Sequence, residues 1–218
     1  MKLNEFFQAV FCITLEMQPD AEHPERLLAA KGQFAKHGIK VEFIAGIDGR
    51  KLDITEPPSR DGDSVVRKAD MGCTLSHLKV VELAKERGLI NYCVFEDDVI
   101  LAEDFQQQFK RNIYQLPPFY KMIYLGGDNK KPYHLTGSTP NIAGTHETFT
   151  THAFGAHCSV YNELIRVLSQ HEKVDLNISE LHKQGGCYIM NPVIAGQRPG
   201  WSYILNKEVQ NEHEFFKV

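Results

Sequence analysis

The chain has no run of about 18 apolar residues, so no segment qualifies as a membrane-spanning helix. It has no G-x-G-x-x-G and no G-x-x-x-x-G-K-[ST] loop, which excludes dinucleotide oxidoreductases and P-loop NTPases. No C-x-x-C pair and no H-E-x-x-H occur, although the chain holds ten histidines. Its five cysteines, Cys12, Cys73, Cys93, Cys158 and Cys187, are odd in number and scattered. Cys12, Cys93 and Cys187 sit inside apolar runs and read as reduced core residues. There is no excess of positive charge; the formal net charge is -4, so nothing general draws the chain to nucleic acid or anionic lipid. The N-terminus lacks the pattern of a secretory signal, and a cytoplasmic location is expected. Repeats and low-complexity tracts are also missing.

What is present is ordinary for a globular enzyme-sized unit: 218 residues, 42% hydrophobic and 24% charged. Apolar runs alternate with helical patterns. "AVFCITL" reads as a buried strand. In "HPERLLAAKGQFAKHG", Pro24 suits a first helical position and Gly38 a stop. "KVEFIAG" reads as a second strand, and residues 48–68 as a polar loop. "TLSHLKVVELAKERG" reads as a helix closed by Gly88. "NYCVF" is apolar without alternation, which predicts a strand covered on both faces. Phe105, Phe109, Ile113 and Leu116 fall on one helical face.

"KMIYL" is a further strand, and residues 126–148 a long variable loop. "ETFTTHAFGAHCSVY" holds one or two strands. Two short helices follow, with Asn162 and Asp175 as expected N-caps. "GCYIMNPVIAGQ" returns to strand, and about 204–218 is a polar tail. Alternating strands and helices predict one α/β domain over 1–218, a Rossmann-type sandwich with a mixed, mainly parallel central sheet.

Ligands of such sheets bind at the carboxyl ends of the strands. Glu96, Asp97 and Asp98 lie at that end of "NYCVF", as do Thr14 to Glu16 on the first strand and Asp128 on a later one. Three adjacent carboxylates repel one another, and a hard divalent cation, Mn²⁺ or Mg²⁺, relieves that repulsion. Along a strand, Glu96 and Asp98 would share one face and Asp97 the other, so one acid can hold a metal while another holds a sugar or ribose hydroxyl. The plainer alternative is a solvated acidic turn.

Read in order, these blocks resemble glycosyltransferase family 25, the family of lipooligosaccharide and collagen galactosyltransferases. "CITLEMQPDAEHPER", with Glu25-Arg26, is similar to the family's first strand and helix. "GIDGR" is similar to its Ile-Asp-Gly, and "GCTLSH" (Gly72, Cys73, Ser76, His77) to its Gly-Cys-x-x-Ser-His. "YCVFEDDVIL" is similar to its Glu-Asp-Asp block. "THAFGAHCSVYN", "VDL" and "NPVIAGQ", with Pro192 and Gln197, match more loosely. The chain departs from the pattern at Tyr203, where the family often has Asp, and at Lys173, where it often has Pro.

The resemblance implies a GT-A-like fold, a UDP-sugar donor carrying galactose or glucose, a divalent metal and inverting transfer. It points to Asp98 as the metal ligand. Thr14, Leu15, Arg26, Asp48, Ser76, His77, Glu96, Asp97 and Gln197 become candidates for the nucleotide sugar. An inverting transfer needs a carboxylate base; Asp175 and Asp128 are the candidates, with Glu180 a third. Each has a plainer reading: Asp175 as a helix cap, Arg26 as a surface arginine, His77 as a bonded core histidine. His152 and His157 are candidates for completing the metal shell, though a structural role is the simpler expectation. The implied acceptor is a glycan such as a lipooligosaccharide core. A hydroxylated protein or a hydroxymethylated DNA base is a less favoured acceptor; a nucleotidyltransferase or phosphohydrolase using the same acids, and a nucleotide-sugar-binding protein without catalysis, are the other readings. The basic segments around 50–68 and at Lys130-Lys131 read as solvated loops.

Overall fold

The computed structural model describes residues 1–18, 20–60, 66–133 and 140–210. The first half runs α1 (Leu3–Phe6), β1 (Ala9–Thr14), α2 (Pro24–Lys36), β2 (Glu42–Ala45), a 3-10 turn at Gly49–Lys51, α3 (Lys68–Glu86), β3 (Asn91–Glu96) and β4 (Val99–Leu101). The second half runs α4 (Phe105–Asn112), β5 (Met122–Tyr124), β6 (Asp128–Asn129), β7 (Pro132–Tyr133), β8 (Ile142–Thr145), β9 (Thr148–Phe149) and β10 (Ala153–His157). It closes with α5 (Tyr161–Leu168), α6 (Val174–His182), β11 (Cys187–Met190), β12 (Ala195–Gln197), β13 (Gly200–Ser202) and β14 (Lys207–Val209).

The main sheet has the order β2-β1-β3-β10-β5-β11-β8-β7. β1 pairs in parallel with β2 and β3, and β5 with β11, while β10 and β8 run against their neighbours. Six of the eight strands therefore point one way. This is the mixed, mainly parallel α/β sandwich that the sequence predicts.

Alternation along the central strands explains why "NYCVF" shows no polar face. Cys93 and Phe95 enter one core with Phe34 of α2 and Phe105 and Phe109 of α4. Tyr92 and Val94 enter the other core, with Val80, Val81 and Ala84 of α3, Leu164 and Val167 of α5, and Ile178 of α6. Both faces are covered, so both must be apolar. The same division holds for β1, where Val10 and Cys12 face one core and Phe11 and Ile13 the other. Cys12, Cys93 and Cys187 are buried, and no disulfide links the five cysteines.

Gly38 and Gly88 end α2 and α3 with φ of 61° and 65°, as their place in sequence predicts. Other expectations need correction. α3 begins at Lys68, a turn and a half before the expected Thr74, because Asp70 accepts the Arg67 N–H at 2.9 Å and opens the helix there. Asn162 is not a cap; it lies inside α5, which starts at Tyr161. Asp175 is not a cap either. It sits in the first turn of α6, where the N-cap is Lys173, and its carboxylate accepts the Leu176 N–H. Within the expected loop at 126–148, the described residues form four short strands rather than irregular chain. The expected polar tail pairs: β13 and β14 form a hairpin over 200–209. Residues 19, 61–65, 134–139 and 211–218 lie outside the described residues.

Among the described residues no helix is long and apolar enough to cross a membrane.

Candidate active site

The carboxyl ends of β1, β2 and β3 meet at one cavity. Thr14 and Leu15 leave β1, Ile47 and Asp48 follow β2, and Glu96 ends β3; Arg26 of α2 and Ser76 and His77 of α3 complete its walls. Asp97 and Asp98 form the turn between β3 and β4. Gln197 of β12 and Tyr203 of the hairpin reach in from the far end of the chain.

Two glycines set the depth of this cavity. The 3-10 turn at Gly49 lies on the first turns of α3 at Gly72. A Cβ on Gly72 would stand 2.4 Å from the Gly49 nitrogen and 2.6 Å from the Ile47 oxygen; one on Gly49 would meet the Lys68 oxygen. Only two residues without Cβ allow this approach. Ser76 then locks the register, accepting the Ile47 N–H at 2.8 Å while donating to the Gly72 carbonyl at 2.7 Å. This is the physical content of "GIDGR" and "GCTLSH" as blocks.

The three acids diverge, and not as a pleated strand would send them. Asp97 accepts from Thr14 Oγ1 at 2.6 Å and from Arg26 Nε at 2.9 Å, with a second bond from Arg26 Nη2. Asp98 Oδ2 lies 3.6 Å from the same guanidinium and 3.4 Å from Gln197 Nε2. Asp97 and Asp98 therefore share a partner, while Glu96 faces His77 Nε2 at 3.2 Å and Thr151 Oγ1 at 2.7 Å. The expected pairing of Glu96 with Asp98 fails because the strand ends at Glu96 and the turn redirects the two aspartates.

Electrostatics separates the acids further. Burial pushes the Glu96 carboxyl up, but the bonds from His77 and Thr151 overcome it and hold the group down at about 2. Burial raises Asp98 to about 7; Arg26 opposes this, and the charges of Glu96 and Asp97 reinforce it. Among the described residues, Asp98 Oδ1 is buried with no hydrogen-bond partner. Burial works against the Arg26 charge, yet Asp97 and Asp98 raise its pKa above the ordinary arginine value.

The same guanidinium donates to the Trp201 carbonyl at 2.5 Å and lies over the Tyr203 ring, so it ties the hairpin to the acids. Tyr203 in turn donates to Glu16 at 2.6 Å. Asp48 is held by Arg50, whose Nε and Nη2 lie 2.9 and 2.8 Å from its carboxylate; those bonds keep it below its usual range.

A second cavity adjoins the first. Asp70, Thr150, Thr151, Lys173 and Asp175 line it, and it shares Cys73, Glu96, Gln197 and Ile204 with its neighbour. Burial raises the Asp175 carboxyl, against hydrogen bonds from backbone amides. Asp128 lines neither cavity; it is half exposed on β6 and ion-paired with Lys130. Glu180 is paired with Arg60 and Arg166. His157 stands beside Asn91, at the opposite end of β3 from the acids, and bonds Ser159. His152 is buried against Thr150 and the Ala195 carbonyl.

The sequence pattern misses Arg50, Cys73, Thr151 and Tyr203 as lining residues. Three of them carried a signal: Arg50 stands in "GIDGR", Cys73 in "GCTLSH", and Tyr203 where the chain departs from the family pattern.

Comparison with known proteins covers most of these residues but stops short of Gln197 and the hairpin. Residues 7–195 match the family model described as glycosyltransferase family 25 (LPS biosynthesis protein). The chain is 30% identical over 138 residues to "Inactive glycosyltransferase 25 family member 3" of Homo sapiens, covering 58% of this chain and 23% of that one. It is 26% identical over 151 residues to "Procollagen galactosyltransferase 2" of Homo sapiens, covering 63% and 23%. The matched stretch thus spans about a quarter of the length of these curated relatives. Among solved structures, a glycosyltransferase involved in glycosylation of the major capsid of PBCV-1 superposes with TM-score 0.42 at 10% identity, over 78% of this chain and 69% of that chain. A197 from STIV gives 0.45 at 9%, over 94% of both chains.

Proposed function

The chain belongs to glycosyltransferase family 25, and from that premise we propose that it transfers a hexose from a UDP-sugar to a hydroxyl of a glycan, with inversion. The observation that carries this reading is the pair of joined cavities with an acid in each: Asp98 in one and Asp175 in the other, across a seam formed by Cys73, Glu96, Gln197 and Ile204.

The first cavity is the donor side. Thr14, Leu15, Asp48 and Ser76 stand where the strand ends offer backbone and side-chain polar groups to a nucleoside. The donor set fits a hard divalent cation, Mn²⁺ or Mg²⁺. Asp98 has a buried oxygen with no partner, and its charge is opposed by burial and by two more carboxylates. Asp98 would hold the ion, which supplies charge neutralisation for the departing diphosphate. Asp97 does not serve as an open ligand in this arrangement, because Arg26 and Thr14 occupy it. Its work is to keep Arg26 at the cavity, where the guanidinium offers a second positive charge to phosphate.

On the other side, Asp175 is the base that removes the acceptor hydroxyl proton. Burial raises it, which makes its carboxylate a better proton acceptor than an exposed aspartate. The name of the human procollagen relative makes galactose the first donor sugar to test.

A second reading has an observation of its own: relatives that match this chain carry the word "inactive" in their names. In that reading the chain binds a nucleotide sugar and never turns it over. One experiment separates the two. The protein is incubated with UDP-galactose or UDP-glucose and Mn²⁺, with and without EDTA and a lipooligosaccharide-type acceptor, and UDP release is followed. Chelator-sensitive, acceptor-stimulated release supports transfer. Release that ignores EDTA removes the metal from the proposal. UDP binding without release from any donor establishes the binding protein.

A further inference from the structure

At the seam between the two cavities, Cys73, His77 and Glu96 each present a ligand-type atom, and these atoms lie within 4.8 Å of one another. Cys73 and His77 come from adjacent turns of α3, four residues apart, so they share a helix face. Glu96 meets that face from the end of β3. A tetrahedral zinc ion with bonds of about 2.0–2.3 Å holds its ligands about 3.3–3.8 Å apart. Side-chain rotation of about an ångström therefore closes the set around one ion.

Two independent observations favour a cation here. His77 is 2% exposed and lines the cavity with its Nε2 turned to Glu96 at 3.2 Å, and among the described residues no hydrogen bond to its Nδ1 commits the ring to the tautomer with a proton on Nε2. The Cys73 thiol is pushed well up first by burial and then by the charges of Glu96, Asp175, Asp70 and Asp98. Four carboxylates thus act on one sulfur in the same direction, and Glu96 is the one whose oxygen lies within ligand reach of it.

We propose that Cys73, His77 and Glu96 form a site for a borderline-soft divalent cation of the zinc class, separate from the hard-cation position at Asp98, and that its occupation stops transfer. Thiolate and imidazole select zinc or cadmium over Mn²⁺ and Mg²⁺, whereas Asp98 offers oxygen alone. Binding exchanges the Cys73 S–H proton for a sulfur–metal bond, so each ion bound releases one proton to solvent. The ion takes Glu96 away from Thr151 and stands where the two cavities meet, between donor and acceptor. Only this inhibitory consequence rests on the glycosyltransferase reading; the site itself does not.

Cadmium is the probe, because its bond to thiolate gives an ultraviolet charge-transfer band. The full chain carrying Cys158→Ser, which removes the exposed thiol, is titrated with cadmium at neutral pH. The expected result is a saturable band at one ion per chain, competed by zinc and untouched by excess Mn²⁺. Adding Cys73→Ser abolishes the band, while Asp98→Asn leaves it. Cys73→Ala serves as a second replacement, and thermal melting of each variant checks that it is folded. A band that survives both replacements, or no band in the parent, overturns the site. In the UDP-release assay, zinc lowers the rate of the parent. Each Cys73 variant, compared with its own zinc-free rate, needs at least about 10-fold more zinc for the same loss. If cadmium binds as described but zinc leaves the rate unchanged, the inhibitory role is refuted and the site stands. If no UDP is released at all, the charge-transfer titration alone decides the site.

Discussion

Replacing Gly72 with alanine drives a methyl group into the backbone of the turn at Gly49. The new carbon would lie 2.4 Å from the Gly49 nitrogen, 2.6 Å from the Ile47 oxygen and 2.7 Å from the Gly49 Cα, where ordinary contact begins near 3.4 Å. All three are main-chain atoms, so no rotamer change relieves the clash. The turn must retreat from α3 by about 1 Å, an overpacking cost of about 1–3 kcal/mol. The retreat also stretches the Ile47 N–H bond to Ser76, worth about 1 kcal/mol. A loss of about 2–4 kcal/mol follows.

Gly32→Ala provides the control. Gly32 is inside α2 with no atom within 4 Å of the added carbon, so helix propensity alone should stabilise that variant by up to about 1 kcal/mol. Urea unfolding of the three proteins reads the two signs side by side. Calorimetric titration with UDP and Mn²⁺ then reads the displacement of Asp48 and Ser76 as a weaker dissociation constant for the alanine variant at 72. A Gly72→Ala protein within about 0.5 kcal/mol of the parent, with unchanged UDP affinity, would refute the close-approach account.

Arg26→Met leaves the buried Asp97 carboxylate without its cation and should cost about 3–5 kcal/mol in urea unfolding, with Arg26→Lys recovering only part because it cannot make the paired bonds. Asp98→Asn should abolish Mn²⁺ binding, read by electron paramagnetic resonance, while leaving stability equal or higher, since the charge it removes is opposed by burial. An Asp98→Asn protein that binds Mn²⁺ like the parent removes Asp98 as the ligand. His182 is buried between the Tyr124 hydroxyl and the Thr148 N–H, and burial lowers it to about 4. The unfolded chain takes up that proton first, so the stability held by neutral His182 is complete above about pH 6.5 and is lost as pH falls toward 4. The full loss is about 3 kcal/mol. Melting temperatures at pH 7.5 and 5 should converge in His182→Gln, and an unchanged slope would exclude His182 as the source.

The strand ends were legible because burial on both faces leaves its mark on local composition. "AVFCITL" and "NYCVF" carry that mark, and the polar residues after them had to lie on one edge of the sheet. Thr14, Asp48 and the three acids therefore gather at that edge, where Ser76 and His77 of α3 join them. The hairpin at 200–209 was illegible for the opposite reason. Its contact with the site is made by Tyr203 and Glu16, 187 residues apart, and by the Trp201 carbonyl, whose acceptor any residue type would supply. The partner of Asp97 was half hidden: the resemblance marks Arg26 as a site candidate, but nothing local says that its guanidinium meets Asp97. The direction of Asp98 was misread because a strand pattern does not say where the strand stops.

The reversed β10 separates β3 from β5, so the strand that carries the acids has β1 on one side and β10 on the other. During synthesis its two edges are completed at very different times. β1 precedes β3, but the second edge has no partner until the chain has grown past His157. Over that interval, Tyr92 to Phe95 present a row of unpaired amides flanked by apolar side chains, the arrangement by which strands add to foreign strands. A nascent chain halted in the variable segment, or a fragment ending before Ala153, therefore exposes at its own centre the edge that the finished protein keeps most deeply covered.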